Sequence, residues 1–292
     1  MSVLHPIISV TGSSGAGTTS VRNVFEQIFR REKVTAAYLE GDSFHRYDRL
    51  DMRTRMKEAA AAGNHHFSHF SPETNLLQEL EDAFASYAES GTARARHYVH
   101  DEAEAELYGG TPGKFTDWYN LPTPTDILLY EGLHGAVKHE GIDTGRHADV
   151  KIGVVPVINL EWIQKIHRDQ AARRYTTEDV MDTILRRMPD YVHYICPQFT
   201  ETDINFQRVP TVDTSNPFIA RTIPTADESI VVIRFKDPHG IDFPYLLAML
   251  HGSFMSRANS IAVPGNKFDL AMQLILTPVI MQLVERRRRA LR

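Results

Sequence analysis

The chain alternates short apolar runs with longer stretches in which apolar residues recur every three or four positions. The short runs are typical of buried strands, and the longer stretches are typical of amphipathic helices. By this pattern, strands are predicted at residues 7–10, 35–39, 126–130, 150–157 and 229–235. Helices are predicted at residues 19–31, 73–88, 160–175, 178–188, 242–251 and 267–289.

The alternation of strands and helices predicts an α/β fold with a mixed, mostly parallel sheet and helices on both faces. Residues 94–121 are interpreted as an irregular insertion, and residues 199–224 as mostly loop. The sequence contains no internal repeat, low-complexity tract or Gly/Ser linker, so a single domain over residues 1–292 is expected. In such sheets ligands bind beyond the carboxyl ends of the strands.

The composition narrows the class of protein. The 292 residues are 42% hydrophobic and 24% charged, which is ordinary for a soluble globular protein. A net charge of −5 gives no overall attraction to nucleic acid or to a membrane, and neither is expected as a partner. Polar residues and Pro278 interrupt the apolar stretch 268–284, which predicts a packed, kinked helix. The single cysteine, Cys196, and the absence of a signal-peptide pattern favour the cytoplasm.

The stretch after the first predicted strand has the spacing of a phosphate-binding loop, G-x-x-x-x-G-K-[ST]. The candidate ATP-binding residues are Gly12, Ser13, Ser14, Gly15, Ala16, Gly17, Thr18, Thr19 and Ser20. Such a loop turns backbone N–H groups towards phosphate oxygens, and the next helix directs its positive end there. Thr18 stands in place of the usual lysine, and Thr19 supplies the expected Mg²⁺ ligand. This loop predicts a P-loop NTPase fold of the nucleoside monophosphate kinase type; an ordinary Gly/Ser turn would not need its spacing.

An acidic residue follows each of the next two predicted strands. Asp42 comes just after residues 35–39, where a base could take a proton from a hydroxyl that attacks the terminal phosphate. A turn or helix-cap role is the alternative for Asp42. Glu131 ends the run at 126–130 and is the second candidate Mg²⁺ ligand, directly or through water.

One predicted helix carries a cluster of charge. Helical spacing places Lys165, Arg168, Asp169 and Arg173 on one face of it. The ordinary alternative is a solvated face with an ion pair. We interpret the region of about 159–188 as a lid whose cations clamp a polyphosphate during transfer. Because the loop lacks its lysine, Lys165 is the first candidate to meet the β- and γ-phosphates, and Arg168 the second.

Further basic residues follow Asp42. Arg49 is placed to bind an anionic group of the phosphate acceptor, and His45 could donate a hydrogen bond beside it. The histidines at 65, 66 and 69 have no usual zinc spacing and predict a polar loop.

Taken together, these motifs resemble the phosphoribulokinase family, in its shorter bacterial class. The matching segments are residues 12–19, 40–46 with Arg49, 69–75, 98–100, 130–134, and 165–169 with Arg173. The resemblance implies a kinase that transfers the γ-phosphate of ATP to the C1 hydroxyl of ribulose 5-phosphate. Its product would be ribulose 1,5-bisphosphate, an intermediate of the Calvin cycle and of carbon dioxide fixation.

The resemblance also implies residue roles. Asp42 would be the catalytic base and Asp169 a further important acid, while Lys165 and Arg168 would act from the lid. The residues implied to handle the sugar phosphate are His45, Arg49 and Arg173, with Tyr98 and His100 nearby.

Members of the shorter bacterial class form large homo-oligomers that NADH activates, and the resemblance extends both properties to this chain as expectations. An effector site between subunits would need arginines, for which Arg31, Arg234 and Arg257 are the candidates. No G-x-G-x-x-G dinucleotide motif is present in the sequence. Ala16 in the loop, and the absence of cysteine before Cys196, exclude the thiol switch of the chloroplast enzymes.

Two other functions are considered. A nucleoside kinase of the uridine kinase type shares the loop and the second acid, but its acceptor carries no phosphate for Arg49 and Arg173 to bind. A nucleotide-gated switch without catalysis would need no base at position 42.

Overall fold

A computed structural model describes residues 2–13, 18–155, 157–173 and 176–292, without the side chains of residues 18–20 and 171–173. The strands in these residues are β1 (Ile7–Thr11), β2 (Ala36–Glu40), β3 (Arg94–Ala95), β4 (Tyr119–Asn120), β5 (Ile127–Gly132), β6 (Lys138–His139), β7 (Ile142–Asp143), β8 (Val150–Val155), β9 (Ile204–Pro210), β10 (Ser229–Phe235), β11 (Phe254–Arg257) and β12 (Ser260–Pro264). The helices are α1 (Thr18–Glu32), α2 (Arg49–Ala61), α3 (Leu77–Ser90), α4 (Glu102–Tyr108), α5 (Ile158–Arg173), α6 (Thr177–Asp190), α7 (Gln198–Glu201), α8 (Phe243–Met249) and α9 (Phe268–Ala290).

In the described part of the chain, eight strands form one sheet in the order β11-β12-β10-β9-β8-β1-β5-β2. Strands β2, β5, β1, β8 and β9 lie side by side in this order, and each is parallel to the next. Strands β10, β12 and β11 extend this sheet by antiparallel pairing. The predicted mixed, mostly parallel sheet is confirmed.

The burial of each strand follows its apolar pattern. All five residues of β1 are buried, as expected for a central parallel strand covered on both faces. The edge strand β2 alternates half-buried and buried residues, and β10 alternates over its whole length. The antiparallel half of the sheet therefore has one face in the core and one face that is partly open.

Two hydrophobic cores cover opposite faces of the sheet. On one face, Phe25 and Ile28 of α1 pack with Met272 and Ile280 of α9 against the sheet. On the other face, α3 packs apolar residues that include Phe84 against Tyr130 of β5, with the two rings edge to face. These two layers hold the carboxyl ends of the parallel strands at one edge.

Helix α9 is the one described helix that is long and apolar enough to cross a membrane by length and composition. Residues along it, including Ala271, Met272, Leu276 and Val284, are buried in the core beside α1. Pro278 lies inside this helix, as the sequence predicts. Burial against the rest of the chain accounts for its apolar character.

The start of the helix predicted at 73–88 needs correction, and the segment 199–224 contains a strand that is not predicted. Most of residues 199–224 are loop, as predicted, but β9 forms between β8 and β10 and places Ile204 and Phe206 in the core. The alternation of β9 is short and includes polar residues, so its apolar signal is weak. Helix α3 begins at Leu77 rather than at residue 73, because Pro72–Thr74 form a separate 3-10 turn.

Helix α2 is not predicted from the sequence, because it has almost no apolar stripe and buries only Met52. Its start is fixed by Asp48, whose side chain accepts hydrogen bonds from the backbone N–H groups of Leu50 and Asp51. The helix predicted at 178–188 is present as α6, and its start is fixed by a capping box that Thr176 and Asp179 form.

The ends of β2 and β5 approach each other at two glycines. A Cβ on Gly41 would lie 2.6 Å from Gly132 Cα and 2.8 Å from the Tyr130 hydroxyl. Side chains cannot be accommodated at this crossing without moving backbone. This close approach sets the position of Asp42, which follows Gly41, and of Glu131, which precedes Gly132.

Replacement of Gly41 by alanine is expected to separate the two strand ends and to destabilise the fold by about 1–3 kcal/mol, the usual cost of overpacking. The melting temperature measured by calorimetry should fall by several degrees. Gly145→Ala is the control, because its Cβ would lie 3.0 Å from the Lys151 side chain and no closer than 3.3 Å to backbone. A Gly41→Ala protein that melts with the parent would contradict this packing.

Candidate active site

The predicted phosphate loop follows β1 and precedes α1 in the chain. The Gly12 N–H donates to the carbonyl oxygen of Gly132 at 3.1 Å, which joins the residue after β1 to the end of β5. Ser14, Gly15, Ala16 and Gly17 lie outside the described residues, and Thr18, Thr19 and Ser20 begin α1 with their side chains not described. The strand and the helix that flank this motif are both present.

Asp42 lies in the short 3-10 turn Gly41–Phe44, directly after β2. Its Oδ1 is 3.1 Å from His45 Nε2, and its Oδ2 is 3.3 Å from His100 Nε2. The Asp42 side chain is 42% exposed, whereas the His45 side chain is almost fully buried. The carboxylate is thus held from two sides and still open to an incoming group.

The surroundings of Asp42 keep its carboxylate ionised. Desolvation within the crevice favours the neutral acid, but the charge of His45 and the hydrogen bonds from His100 and His45 outweigh it. The pKa of Asp42 therefore lies well below its usual value. Because a depressed pKa means that the proton is bound only at low pH, Asp42 is available as a proton acceptor throughout the neutral range.

The predicted substrate-binding residues with described side chains are brought together around Asp42. Arg49 donates from Nη2 to the His100 carbonyl oxygen at 2.8 Å, and its guanidinium carbon lies 6.0 Å from the Tyr98 ring centre. The Tyr98 ring meets that of His100 edge to face. Arg49 is exposed, so its charge faces the entrance of the crevice. The side chain of Arg173 is not described.

Residues 65–69 form a loop, as the sequence predicts, and His69 of this loop also contacts the site. Its ring lies 4.2 Å from that of His45, and burial lowers the pKa of His69 well below its usual value, with the charge of His45 acting in the same direction. Asn75 is a second residue of the site that the sequence analysis leaves without a role, since its Oδ1 lies 2.8 Å from His45 Nδ1. His69 is the first residue and Asn75 the last residue of the motif at 69–75. In the sequence, only that motif indicates that the two residues have a role in the site.

Glu131 stands between the phosphate loop and β2. Within the sheet it is in register with Val10 of β1 and with Glu40 of β2. Its carboxylate is an oxygen donor of the kind that Mg²⁺ takes, usually one or two per site, with substrate phosphates and water as the other ligands. No group of three or more His, Cys, Asp or Glu side chains suited to a metal occurs among the described residues.

Helix α5 carries a buried acid between two cations. Lys165 Nζ lies 2.5 Å from Asp169 Oδ2, and Arg168 Nε lies 3.1 Å from Asp169 Oδ1. Asp169 is 2% exposed. Burial lowers the pKa of Lys165 to about 8, and the charge of Arg187 adds to this effect while Asp169 opposes it. The sequence prediction that these three residues share one side of the helix is confirmed.

Helix α5 also contacts Ser13, which follows β1. The Ser13 hydroxyl donates a hydrogen bond to Glu161 Oε1 of α5. Burial raises the pKa of Glu161, although Ser13 and nearby cations oppose the shift. Ser13, Glu161, Lys165 and Arg187 line a shallow cleft beside α5. Ser13 is therefore in a position from which it can sense or contact a bound polyphosphate.

The three candidate effector arginines lie on elements other than those that carry Asp42 and Lys165. Arg31 of α1 donates to Gln273 and Thr277 of α9. Arg234 alternates with core residues of β10, and so it lies on the opposite face of the sheet. Arg257 is at the end of β11, where it and Arg234 are both in register with Ser260.

Known proteins share this fold and these motifs. Residues 7–215 match the model of the phosphoribulokinase / uridine kinase family. The chain is 73% identical over 290 residues to a phosphoribulokinase of Xanthobacter flavus, covering 99% of this chain and all of the relative. It is 71% identical over 286 residues to one of Nitrobacter vulgaris, covering 98% of this chain and 99% of the relative.

A solved structure agrees with these comparisons. The phosphoribulokinase from Rhodobacter spheroides superposes with a TM-score of 0.91 at 62% identity, covering 98% of this chain and all of the other. The predicted P-loop kinase fold is confirmed. From the matched family and from relatives of full length, it follows that the chain belongs to the phosphoribulokinase / uridine kinase family.

Proposed function

We propose that this protein is a phosphoribulokinase, which uses ATP to phosphorylate the C1 hydroxyl of ribulose 5-phosphate. The observation that carries the proposal is the accessible carboxylate of Asp42, held by His45 and His100 beside the exposed charge of Arg49. Relatives named phosphoribulokinase at up to 73% identity over nearly the whole chain support the same substrate. The reaction supplies ribulose 1,5-bisphosphate to the Calvin cycle.

In this mechanism Asp42 accepts the proton of the C1 hydroxyl as its oxygen attacks the γ-phosphate. A base of this kind must reach the hydroxyl, and the 42% exposure of the Asp42 side chain permits that. Arg49, with Tyr98 and His100 beside it, binds and orients the sugar phosphate, and Arg173 assists.

Lys165 and Arg168 neutralise charge on the phosphates during transfer. Protein cations fixed next to a transferring phosphoryl group stabilise the charge that spreads over its oxygens. Asp169 holds both side chains in the crevice until the nucleotide binds. This arrangement compensates for Thr18, which replaces the lysine of the usual phosphate loop.

The phosphate-loop backbone and the residues from Gly12 to Ser20 bind ATP in this proposal. Thr19 and Glu131 would hold Mg²⁺, which would supply charge neutralisation at the phosphate oxygens. The Glu131 carboxylate, at the end of β5 beside Gly12, supports this assignment.

The proposal also covers the domain organisation, the oligomeric state and the regulation of the enzyme. We infer a single kinase domain over residues 1–292, with α5 and α6 as the lid and the segment 94–121 as an insertion beside the site. We propose that the enzyme is a large homo-oligomer in the cytoplasm. We also propose that NADH activates it through Arg31, Arg234 and Arg257. The support is the sequence resemblance, together with the placement of these arginines on elements other than those that carry Asp42 and Lys165.

The substrate is tested by a coupled assay of ADP release with a panel of pentose phosphates and with uridine, each with and without NADH. Ribulose 5-phosphate should be turned over far faster than uridine, because only a phosphorylated acceptor uses Arg49. NADH should increase the rate. Faster turnover of uridine would indicate a nucleoside kinase, and the absence of acceptor-dependent ADP release would indicate a nucleotide-gated switch.

Replacement of Asp42 by asparagine should lower kcat by about 10²–10⁴-fold, because the variant cannot accept the proton. ATP binding, measured by calorimetry, should change little. Asp51→Asn removes an exposed carboxylate from the nearby helix α2 and serves as the matched control. If the Asp42→Asn enzyme kept kcat within a few-fold of the parent, Asp42 would not be the base.

Replacement of Lys165 by methionine should lower kcat by more than about tenfold, which corresponds to about 1.4 kcal/mol of transition-state stabilisation. Methionine keeps the length of the apolar stem and removes the charge. Lys57→Met, at an exposed position of α2, is the control for a simple change of net charge. A smaller loss at Lys165 than tenfold would reject its role in phosphoryl transfer.

A further inference from the structure

The side-chain amide nitrogen of Asn75 donates hydrogen bonds to acceptors in its own loop. This nitrogen, Nδ2, lies 3.0 Å from the His69 carbonyl oxygen, 2.7 Å from the Ser71 carbonyl oxygen and 3.1 Å from Thr74 Oγ1. Backbone carbonyl oxygens can only accept hydrogen bonds. The amide nitrogen must therefore face the loop, and the amide oxygen of Asn75 must face His45.

This orientation determines which nitrogen of His45 carries a proton. Asn75 Oδ1, which lies 2.8 Å from His45 Nδ1, can only accept, so Nδ1 must hold a proton and donate it. The other ring nitrogen, Nε2, lies 3.1 Å from Asp42 Oδ1. A neutral His45 with its proton on Nδ1 would present a bare lone pair to the carboxylate, which is repulsive.

We propose that Asn75 is a positioning residue that keeps a proton on His45 Nδ1, so that His45 pairs with Asp42 through a second ring proton. In the resting enzyme this proton lies on His45 Nε2, and the pair consists of an imidazolium and a carboxylate. Asp42 then receives the proton of the acceptor hydroxyl while the imidazolium keeps its own two. The inference rests on the proposed role of Asp42 as the base.

The ring stacked on His45 is consistent with this charge state. His69 lies against the His45 ring at 4.2 Å with a tilt of 32°, and burial followed by the positive charge of His45 lowers the pKa of His69. A neutral ring on one side of an imidazolium stabilises it without competing for Asp42. His69 Nδ1 is buried and has no hydrogen-bond partner among the described residues, as suits a ring that serves mainly by stacking.

Other charged and titratable groups also face His45. They are Asp42 with its second partner His100, Tyr98 at 6.4 Å between ring centres, His69, and Arg96, whose Nη2 donates to the His45 carbonyl oxygen. Asp42 is the single anion in this set, and Asn75 is the neutral acceptor that opposes it across the ring. Removal of that acceptor allows a neutral His45 to move its proton to Nε2 and donate to Asp42.

The test compares two substitutions of Asn75 through the alkaline limb of the kcat–pH profile at saturating ATP. Asn75→Leu removes the acceptor and stabilises the neutral ring, so the alkaline limb should move to lower pH by about one unit. Asn75→Asp keeps an acceptor and adds negative charge, so the limb should move to higher pH. Lys165, which also titrates near this range, is present in all of these enzymes, so a difference between them arises at Asn75.

Thr74→Val is the control for loop structure, because its hydroxyl donates to the Ser68 and Ser71 carbonyl oxygens and does not touch His45. Its pH profile should match that of the parent even if its melting temperature falls. In a His45→Ala background, Asn75→Leu should cost less than about twofold in kcat, since a residue that acts through another adds nothing once that other is gone.

The proposal is overturned if the limb moves in the same direction in both Asn75 variants, if it does not move, or if Thr74→Val reproduces the shift. Full loss by Asn75→Leu in the His45→Ala background would also overturn it. These outcomes are separate from the Asp42→Asn result, because a failure of the base assignment would show in that variant while the Asn75 comparison measures only His45.

Discussion

The site depends on a backbone contact between two neighbouring parallel strands. Gly41 and Gly132 let the ends of β2 and β5 approach until a single Cβ would lie 2.6 Å from backbone. One strand further along the sheet, β1 leads into the phosphate loop, and its Gly12 N–H is hydrogen bonded to Gly132. With strands about 4.8 Å apart, the ends of β1 and β2 are separated by about 10 Å. A nucleotide phosphate and an attacking hydroxyl fit in a gap of that size.

The sequence predicted the parallel part of the fold well, because its strands are buried on both faces and appear as continuous apolar runs. It missed elements whose stability comes from elsewhere. Helix α2 is held by the Asp48 cap and buries only Met52, and β9 contributes two core residues from an alternating segment. Such elements leave a weak periodic signal, and only pairing with β8 and β10 makes β9 a strand.

Residues of the candidate site could be predicted where they follow a strand or share one face of a helix. Asp42 and Lys165 became candidates in this way, and the family resemblance added Tyr98 and His100. The roles of His69 and Asn75 were not found, since these residues contact His45 across more than 20 residues of chain through a stacked ring and an amide. No spacing rule describes a contact between two loops, and the histidines at 65–69 suggested a polar segment instead.

Two carboxylates of the crevice have the same arrangement and different exposures. Asp42 lies between His45 and His100, and Asp169 lies between Lys165 and Arg168. Asp169 is 2% exposed, so an acceptor hydroxyl cannot reach it in this conformation, whereas the Asp42 side chain is 42% exposed. Removing Asp169 would leave the cations Lys165 and Arg168 close together, which is costly in a buried setting. Accessibility is therefore what supports the proposed division of roles, with Asp42 as the proton acceptor and Asp169 as the partner of the two cations.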